Sequence, residues 1–305
     1  MRYNPKAKLD RSQVQVRRGG GRSAGGGLGL PSGGSGLKVG GGVGGLIIVV
    51  LVLLLQGQLG GGSPSGGSAG PQSETSLEEC RTGADANENR SCAYVADVNA
   101  IQAYWSEALP EQSGTPYREA TTTIFSGGTD TDCGAATSDV GPFYCSVDER
   151  IYLDTTFFAD MLEGQLGADG GLFAEAYVLA HEYGHHVQNV LGTMGQVRTQ
   201  QGAESDAVRL ELQADCYAGM WTKDATEVPD ESGEPFILDL TDQDIANAID
   251  AAESVGDDRI QKRSSGRIDP DRFTHGSAAQ RKRWFTIGLS QGTLAACDTF
   301  RASRL

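Results

Sequence analysis

The sequence predicts an α+β fold: a mainly helical domain with a small β-sheet, preceded by one transmembrane helix. Three observations predict it. An uncharged apolar segment lies near the N-terminus, a Gly/Ser/Pro-rich stretch follows it, and about 225 residues remain in which helical patterns outnumber strand patterns. That length is sufficient for one domain with a substantial hydrophobic core.

Within the predicted domain, residues 79–305, helical periodicity and helix-start signals alternate with short β-branched or alternating runs. The predicted helices are residues 156–165, 172–191, 205–223, 241–254 and 277–289, and the predicted strands are residues 121–125 and 150–153. Thr241 and Asp244 have the spacing of a capping box. Apolar residues from Val95 to Trp105 also recur at helical spacing, which favours core packing over a ligand groove.

The N-terminal part of the chain differs from the rest in composition. Residues 1–38 hold eight Lys and Arg residues and one acidic residue, Asp10, whereas the whole chain has a formal net charge of −15. This Gly-rich segment has too few large apolar residues to bury a core and is predicted to be disordered. Residues 39–59 carry no charge, and the glycines that flank residues 46–55 extend this apolar run to about the 20 residues that span a bilayer.

The charge pattern predicts a topology for this segment. Positive charge before residues 39–59 predicts a cytoplasmic N-terminus, a single pass through the cell membrane, a Gly/Ser/Pro linker at residues 60–78 and an extracytoplasmic domain. An uncleaved anchor is favoured, and a cleaved signal peptide is the alternative. The basic segment suits an anionic inner leaflet, whereas the acidic remainder disfavours nucleic acid as a partner.

All six cysteines follow the predicted anchor. An even number on the exported side predicts three disulfides, for which 15 pairings are possible. Short spacing favours Cys80–Cys92 and Cys133–Cys145, which leaves Cys216–Cys297. Free buried thiols are an alternative, and a structural zinc cluster is disfavoured because no C-x-x-C pair occurs.

The residues His181-Glu182-Tyr183-Gly184-His185 form an H-E-x-x-H motif in a segment predicted to be helical. Histidines four residues apart lie on one face of a helix, so both imidazoles can bind one Zn²⁺. Glu182 projects beside the metal position, where it can accept a proton as a general base. A chance match is the alternative, but three of the four histidines fall in one hexapeptide.

A catalytic zinc usually has three protein ligands, and the next predicted helix offers a third. Glu211 and Asp215 are four residues apart and share a face of that helix. Glu211 would complete a His₂Glu set, and Asp215 would bind the far nitrogen of a ligand imidazole, preferably that of His181. The alternative is a solvated acidic face, since the chain is rich in acidic residues.

The segment from His181 to Gln188, followed by Glu211-Leu-Gln-Ala-Asp-Cys-Tyr-Ala-Gly219, resembles the bacterial neutral zinc metallopeptidase family. More broadly, it is similar to the zincins that combine H-E-x-x-H with E-x-x-x-D. Shorter matches lie at residues 141–145, 151–154, 273–277 and 281–285. The resemblance covers about residues 79–300. It implies a zincin-like metallopeptidase domain that requires Zn²⁺ and acts on a protein or peptide, and it leaves the substrate open.

Three further features bear on the site and the substrate. His275 lies in a predicted loop before a helix, where it either stabilises an oxyanion as a catalytic residue or has a structural role. His186 adjoins a ligand but faces away by helix geometry, which predicts a surface or supporting role. In zincins the substrate backbone extends a sheet edge beside the zinc helix. Residues 151–154 are either that edge or a core strand.

These features together predict a membrane-anchored, zinc-dependent peptidase. An endopeptidase is favoured because no feature for binding a chain terminus is visible. One alternative is a non-catalytic zinc-site domain that binds a partner or an envelope polymer, although the presence of Glu182 disfavours it. The other is a zinc amidohydrolase that acts on a non-peptide amide, which a small closed pocket would favour. The oligomeric state stays open.

Overall fold

The computed structural model describes residues 1–17, 77–137 and 140–305. The strands in these residues form one four-stranded sheet and two strand pairs. They are β1 (Arg2–Tyr3), β2 (Val14–Arg17), β3 (Thr121–Phe125), β4 (Gly128–Thr131), β5 (Gly134–Thr137), β6 (Phe143–Cys145), β7 (Arg150–Asp154) and β8 (Ile237–Asp239). The larger sheet has the order β2-β3-β7-β6, in which the first three strands are parallel and β6 is antiparallel to β7.

Helices make up most of the regular structure in the described residues. They are α1 (Gly83–Glu88), α2 (Arg90–Ser113), α3 (Leu172–Val190), α4 (Asp206–Asp224), α5 (Asp242–Ser254), α6 (Asp257–Ser265) and α7 (Ala278–Gln291). A π-helical segment, Phe157–Gln165, follows β7. The predicted α+β fold with a small sheet is confirmed for the domain, and the predicted helices and strands end within two residues of the observed ones.

Side-chain caps fix the starts of two helices that carry the site. At the start of α4, the Ser205 side chain accepts a hydrogen bond from the backbone N–H of Val208. At the start of α7, Ser277 and Gln280 form a capping box. These caps pair N–H groups that would otherwise lack partners in the first turn, which sets the residue at which each helix begins.

Glycines let the helices around the site approach one another closely. A Cβ at Gly288 of α7 would overlap the carbonyl group of Cys216 in α4. A Cβ at Gly184, inside the H-E-x-x-H motif of α3, would lie 3.0 Å from the Cα atom of Ala214 in α4. Since close-packed helices cannot absorb such overlaps without moving apart, the two glycines set the spacing of α4 from both neighbours.

Residues 151–154, which were considered as a substrate-binding sheet edge, do not lie at an edge of the sheet. Residues 151–154 belong to β7, which lies between β3 and β6, so the alternative of a core strand is correct. The edge next to β7 is β6. β6 has only three residues, which are too few to show a periodic pattern in the sequence. The alternation in β7 indicates which of its faces is buried, but not whether the strand lies at the edge or in the centre of the sheet.

Residues 1–17 are folded against the rest of the domain, so the prediction of disorder over residues 1–38 is wrong for this part. β1 pairs with β8, and β2 extends the four-stranded sheet beside β3. Tyr3 is fully buried, and its hydroxyl donates to the carboxylate of Asp97 at 2.8 Å. Composition misled here because Tyr3 and Val14 are buried in a core that distant residues supply.

The predicted anchor at residues 39–59 lies outside the described residues and stays a prediction. In the parts of the chain that the structure describes, no helix is long and apolar enough to cross a membrane. A single pass between residues 17 and 77 would place residues 1–17 and the domain on opposite faces of the membrane. The contacts of β1 and β2 would not then form.

A designed disulfide tests whether residues 1–17 fold onto the domain in the full-length chain. Lys8 and Thr82 face each other in an isolated antiparallel bridge, which backbone hydrogen bonds of 2.9 Å flank on both sides. In this narrow type of pair the Cα atoms lie roughly 4.5 Å apart, which suits a disulfide. We expect Lys8→Cys combined with Thr82→Cys to give a linked peptide in non-reducing mass mapping of protein taken directly from cells.

The matched control combines Lys6→Cys with Thr82→Cys. The Lys6 side chain is 78% exposed, and Lys6 is not the bridge partner of Thr82, so this pair should remain unlinked. If neither pair were linked while the native disulfides formed, residues 1–17 and the domain would lie in different compartments, as the predicted single pass requires.

All six cysteines pair as disulfides, and the pairing favoured by spacing is confirmed. The bonds are Cys80–Cys92, Cys133–Cys145 and Cys216–Cys297. The last joins α4 to the C-terminal segment across 81 residues. Closing a loop of that length stabilises the domain by roughly 3–5 kcal/mol on the chain-entropy estimate.

Candidate metal centre

Two adjacent helices bring three buried metal-binding side chains together. His181 and His185 lie one turn apart on α3, and their ring centroids are 4.8 Å apart. Glu211 on α4 faces both: its carboxylate oxygens lie 3.3 Å from His181 Nε2 and 3.5 Å from His185 Nε2. The three ligand atoms all lie within 4.8 Å of one another. This group is able to bind a metal ion.

The donor set and an unpaired oxygen both fit a zinc ion. Two imidazoles and one carboxylate are a common ligand set of catalytic zinc, which leaves one position for water or substrate. Glu211 Oε1 is buried and has no hydrogen-bond partner. Although burial opposes ionisation, His185 and His275 lower the pKa of Glu211 well below its ordinary value. A buried, charged oxygen without a partner is costly unless it binds a cation.

Both imidazoles are oriented through their other ring nitrogen. His181 Nδ1 lies 2.8 Å from Asp215 Oδ1, and His185 Nδ1 lies 2.9 Å from Gln188 Oε1. These contacts turn the Nε2 atoms of both rings toward Glu211, as partners of metal-bound histidines usually do. Sequence reasoning proposed Asp215 for this position but missed Gln188. The available signal was its position three residues after His185 on the same helix face.

Gln188 is itself held by groups that reach the C-terminal disulfide. Its amide Nε2 donates to the carbonyl oxygen of Leu210 at 2.7 Å and to Gln213 Oε1 at 3.1 Å. Gln213 Nε2 in turn donates to the carbonyl oxygen of Cys297 at 3.0 Å. The orientation of His185 therefore depends on side chains of α4 and on the segment that the Cys216–Cys297 disulfide holds in place.

Asp215 is the centre of a second buried network. Arg281 on α7 donates to both of its carboxylate oxygens at 2.8 Å, and the Tyr177 hydroxyl donates to Oδ1 at 2.5 Å. Burial disfavours the charged form of Asp215, but the charge and hydrogen bonds of Arg281 lower its pKa to about 2. Arg281 was not identified from the sequence as a site residue, because nothing local links α7 to α3. Tyr177 was also missed, although it lies four residues before His181 on the same face of α3.

The same carboxylates act on the His181 imidazole. Burial favours its neutral form, but Asp215 and Glu211 outweigh burial and raise the pKa of His181 to about 9. A metal ion that binds Nε2 must therefore compete with a proton, which makes metal binding dependent on pH.

Glu182 follows His181 on α3 and lines the same cleft. Its side chain is buried, and its Oε2 atom has no hydrogen-bond partner. Burial raises the pKa of Glu182, and the two histidines of the motif oppose this effect. The backbone amide of Tyr144 in β6 also acts to lower this pKa. The arrangement leaves one buried carboxylate oxygen unpaired in a residue that lines the cleft.

His275 lies in the loop before α7 and lines the same cleft. Its Nδ1 atom is 2.8 Å from Thr274 Oγ1 and 3.7 Å from an Asp257 carboxylate oxygen. The other oxygen of Asp257 accepts hydrogen bonds from three consecutive backbone N–H groups of the loop, those of residues 274–276. Burial lowers the pKa of His275, but Glu211 and Asp257 more than compensate and raise it.

His186 points away from the metal group, as helix geometry predicts. Its Nδ1 atom lies 3.1 Å from the Tyr144 hydroxyl, and its Nε2 atom lies 2.6 Å from the carbonyl oxygen of Arg118. It is fully buried, so the expectation of a surface position is wrong. Both ring nitrogens contact groups outside the metal centre, which leaves His186 a supporting role between α3 and β6.

The cleft above the metal group has a volume of about 660 Å³, which includes space open to solvent. Polar and charged side chains, including Arg281, line it around the metal-binding residues. Five apolar side chains also line it, and we call them together the apolar wall: Val140, Pro142, Phe157, Val178 and Val255. The site is therefore a cleft that is open to solvent and lined by both polar and apolar side chains.

Comparison with known proteins agrees with the motif. The model of the family described as "Putative neutral zinc metallopeptidase" matches residues 1–300. The uncharacterized protein Rv2575 of Mycobacterium tuberculosis is 52% identical over 233 residues, which are 75% of this chain and 77% of that protein. The uncharacterized protein YpfJ of Escherichia coli K12 is 37% identical over 311 residues, which cover 99% of this chain and 100% of that protein.

No solved structure matches the chain. The family match includes residues 1–17, which the resemblance seen in the sequence did not reach, and these residues form β1 and β2 of the folded domain. With His181, His185 and Glu211 together in one buried group, the chain belongs to the "Putative neutral zinc metallopeptidase" family.

Proposed function

We propose that this protein is a zinc-dependent peptidase that hydrolyses internal peptide bonds. The observation that carries the proposal is the unpaired, buried oxygen of Glu182 in the same cleft as His181, His185 and Glu211. A zinc ion held by these three ligands would supply an acidified water molecule and polarise the scissile carbonyl.

The side chains of the cleft have complementary roles in this chemistry. Glu182 accepts the proton of the attacking water and passes it to the leaving amine, which requires a carboxylate oxygen free of other donors. His275 lines the same cleft, where its imidazole can donate to the developing oxyanion while Thr274 and the loop bound to Asp257 hold the ring. Asp215 keeps the His181 ring in the orientation that presents Nε2.

The position of β6 supports a peptide as the substrate. β6 is an edge strand of the four-stranded sheet, and the backbone of its residue Tyr144 contacts Glu182. The residues just before this strand, including Gly141, line the cleft. An extended peptide that pairs with a sheet edge beside the general base would place a backbone carbonyl near the ligands.

Metal analysis and a peptide-library digest of the purified full chain test the proposal. We expect about one Zn²⁺ per chain, the stoichiometry of one His₂Glu site, and cleavage at internal bonds. Glu211→Ala should lose the zinc, because two imidazoles alone form an incomplete site. Glu204→Ala is the matched control: Glu204 lies outside the cleft on an exposed loop and should keep the metal.

Each alternative function gives a different result in the same experiment. Bound zinc without cleavage of any peptide would favour a non-catalytic domain that binds a partner or an envelope polymer. Cleavage of small amides but not of peptides would favour an amidohydrolase. Full zinc retention in Glu211→Ala would remove Glu211 from the ligand set.

His275→Ala separates a catalytic from a structural role of this residue. If His275 stabilises the oxyanion, kcat should fall by about 10²–10³-fold while the zinc content stays at the wild-type level. Steady-state kinetics and metal analysis measure both quantities. Asp271→Ala, in the exposed turn before the same loop, is the control and should retain wild-type kcat. An unchanged kcat in His275→Ala would leave the residue a structural role only.

We also propose that the domain works outside the cytoplasm. The support is that all six cysteines form disulfides, which persist in oxidising compartments. Attachment to the bacterial cell membrane through residues 39–59 rests on the apolar sequence alone. The Lys8→Cys and Thr82→Cys pair described above decides whether residues 1–17 share the compartment of the domain.

A further inference from the structure

Apolar side chains line the cleft beside the metal group, and they bear on substrate selection. Val178 lies three residues before His181 on α3, so it shares that ligand's helix face. Val255 approaches from the end of α5, and Phe157 from the π-helical segment. The apolar wall thus begins within one helical turn of a metal-binding residue.

The wall has a fixed shape on the side of β6. Gly141 has a φ of 75°, and a Cβ at this position would lie 3.0 Å from the Phe157 ring. The backbone at Gly141 therefore packs directly on that ring. Pro142, the next residue, adds a rigid apolar surface at the approach to β6.

Most charged groups of the cleft are paired or belong to the metal group, and Glu182 is the exception. Arg281 is buried, and its Nε and Nη2 atoms donate to both oxygens of Asp215, so its positive charge is paired with that carboxylate. Glu182 and Glu211 would repel an acidic side chain. A basic side chain would lose its hydration against Val178 and Val255 without gaining a partner on that wall.

We infer that this wall is a specificity subsite for a hydrophobic side chain on a residue next to the scissile bond. The inference rests on the proposed peptidase function and names its substrate class: peptides with an aliphatic or aromatic residue at that position. When such a side chain is buried beside the metal-binding residues, the scissile carbonyl is held near them as well. This is because the side chain and that carbonyl belong to the same short segment of the peptide.

A peptide series measured with the zinc-loaded full chain tests the subsite. The peptides differ at one position next to the cleaved bond and carry Leu, Phe, Asp or Lys there. We expect kcat/KM for the Leu and Phe peptides to exceed that for the Asp and Lys peptides by at least about tenfold. This is the lower end of the discrimination that contacts in one hydrophobic pocket provide. Equal kcat/KM across the series would overturn the inference.

Val255→Lys places a cation in the wall without touching a ligand residue. We expect it to lower kcat/KM for the Leu peptide by about 10–200-fold and to raise it for the Asp peptide. Ile268→Lys is the matched control, since Ile268 is 50% exposed and does not line the cleft. The control should keep the wild-type preference. An unchanged preference in Val255→Lys would remove Val255 from the subsite.

Binding separates failure of the inference from failure of the proposed function. In the Glu182→Gln full chain, calorimetry should show that the dipeptides Leu-Ala and Phe-Ala bind more tightly than Asp-Ala. Adding Val255→Lys should reverse this order of affinities. If wild type cleaved no peptide but this binding order held, the peptidase proposal would fail and the subsite would stand. If peptides were cleaved without any binding preference, the subsite would fail alone.

Discussion

Glu182→Gln should abolish hydrolysis while leaving the fold and the bound metal intact. The amide cannot accept the proton of the attacking water, and loss of a positioned general base costs about 10²–10⁴-fold in rate. The ligand set does not include Glu182, so zinc content should stay at about one per chain. Because Glu182 is buried and burial already raises its pKa, a neutral side chain of the same shape should change the free energy of unfolding by less than about 1 kcal/mol.

Three measurements on one preparation check this result: peptide hydrolysis, metal content and thermal unfolding. Glu204→Gln is the matched control, since it makes the same chemical change on an exposed side chain outside the cleft. It should hydrolyse peptides at the wild-type rate. Turnover within a few-fold of wild type in Glu182→Gln would exclude Glu182 as the base and would direct attention to His275.

The parts of the site that lie close in sequence were predictable. Helical periodicity fixes the relative positions of His181 and His185, and of Glu211 and Asp215, because residues four apart share a helix face. The two helices follow each other in the chain, which makes their packing against each other the natural expectation. The glycine in the motif then explains how closely the helices approach.

The parts that depend on non-local packing were not predictable from composition or spacing. Arg281 lies 66 residues after Asp215 and reaches it only because α7 packs on α4. Residues 1–17 look like a basic tail until β3 and β8 provide strands to pair with and Asp97 accepts a hydrogen bond from Tyr3. Whether a strand lies at the edge or the centre of a sheet depends on the same long-range order.

The second large effect is expected at Arg281. Arg281→Met removes the guanidinium that donates to both oxygens of Asp215 and leaves this buried carboxylate with the Tyr177 hydroxyl and the His181 imidazole as its remaining partners. Breaking a buried ion pair from one side typically costs about 3–5 kcal/mol in the free energy of unfolding. His181 should also lose its fixed orientation, because the Asp215 carboxylate is no longer held in place. We expect zinc affinity to fall by about 10–100-fold, as for other residues that orient ligand histidines.

Denaturant unfolding and competition with a zinc chelator measure the two effects, and Arg283→Met is the control. Arg283 lies on the same helix but is exposed, so its replacement should change stability by less than about 0.5 kcal/mol. Adding Asp215→Asn to Arg281→Met removes the uncompensated charge and should restore part of the stability, whereas zinc affinity should stay low because an amide orients the imidazole less strongly than a carboxylate. If Arg281→Met behaved like Arg283→Met in both measurements, Asp215 would hold His181 without Arg281, and α7 would contribute packing but no orientation to the metal centre.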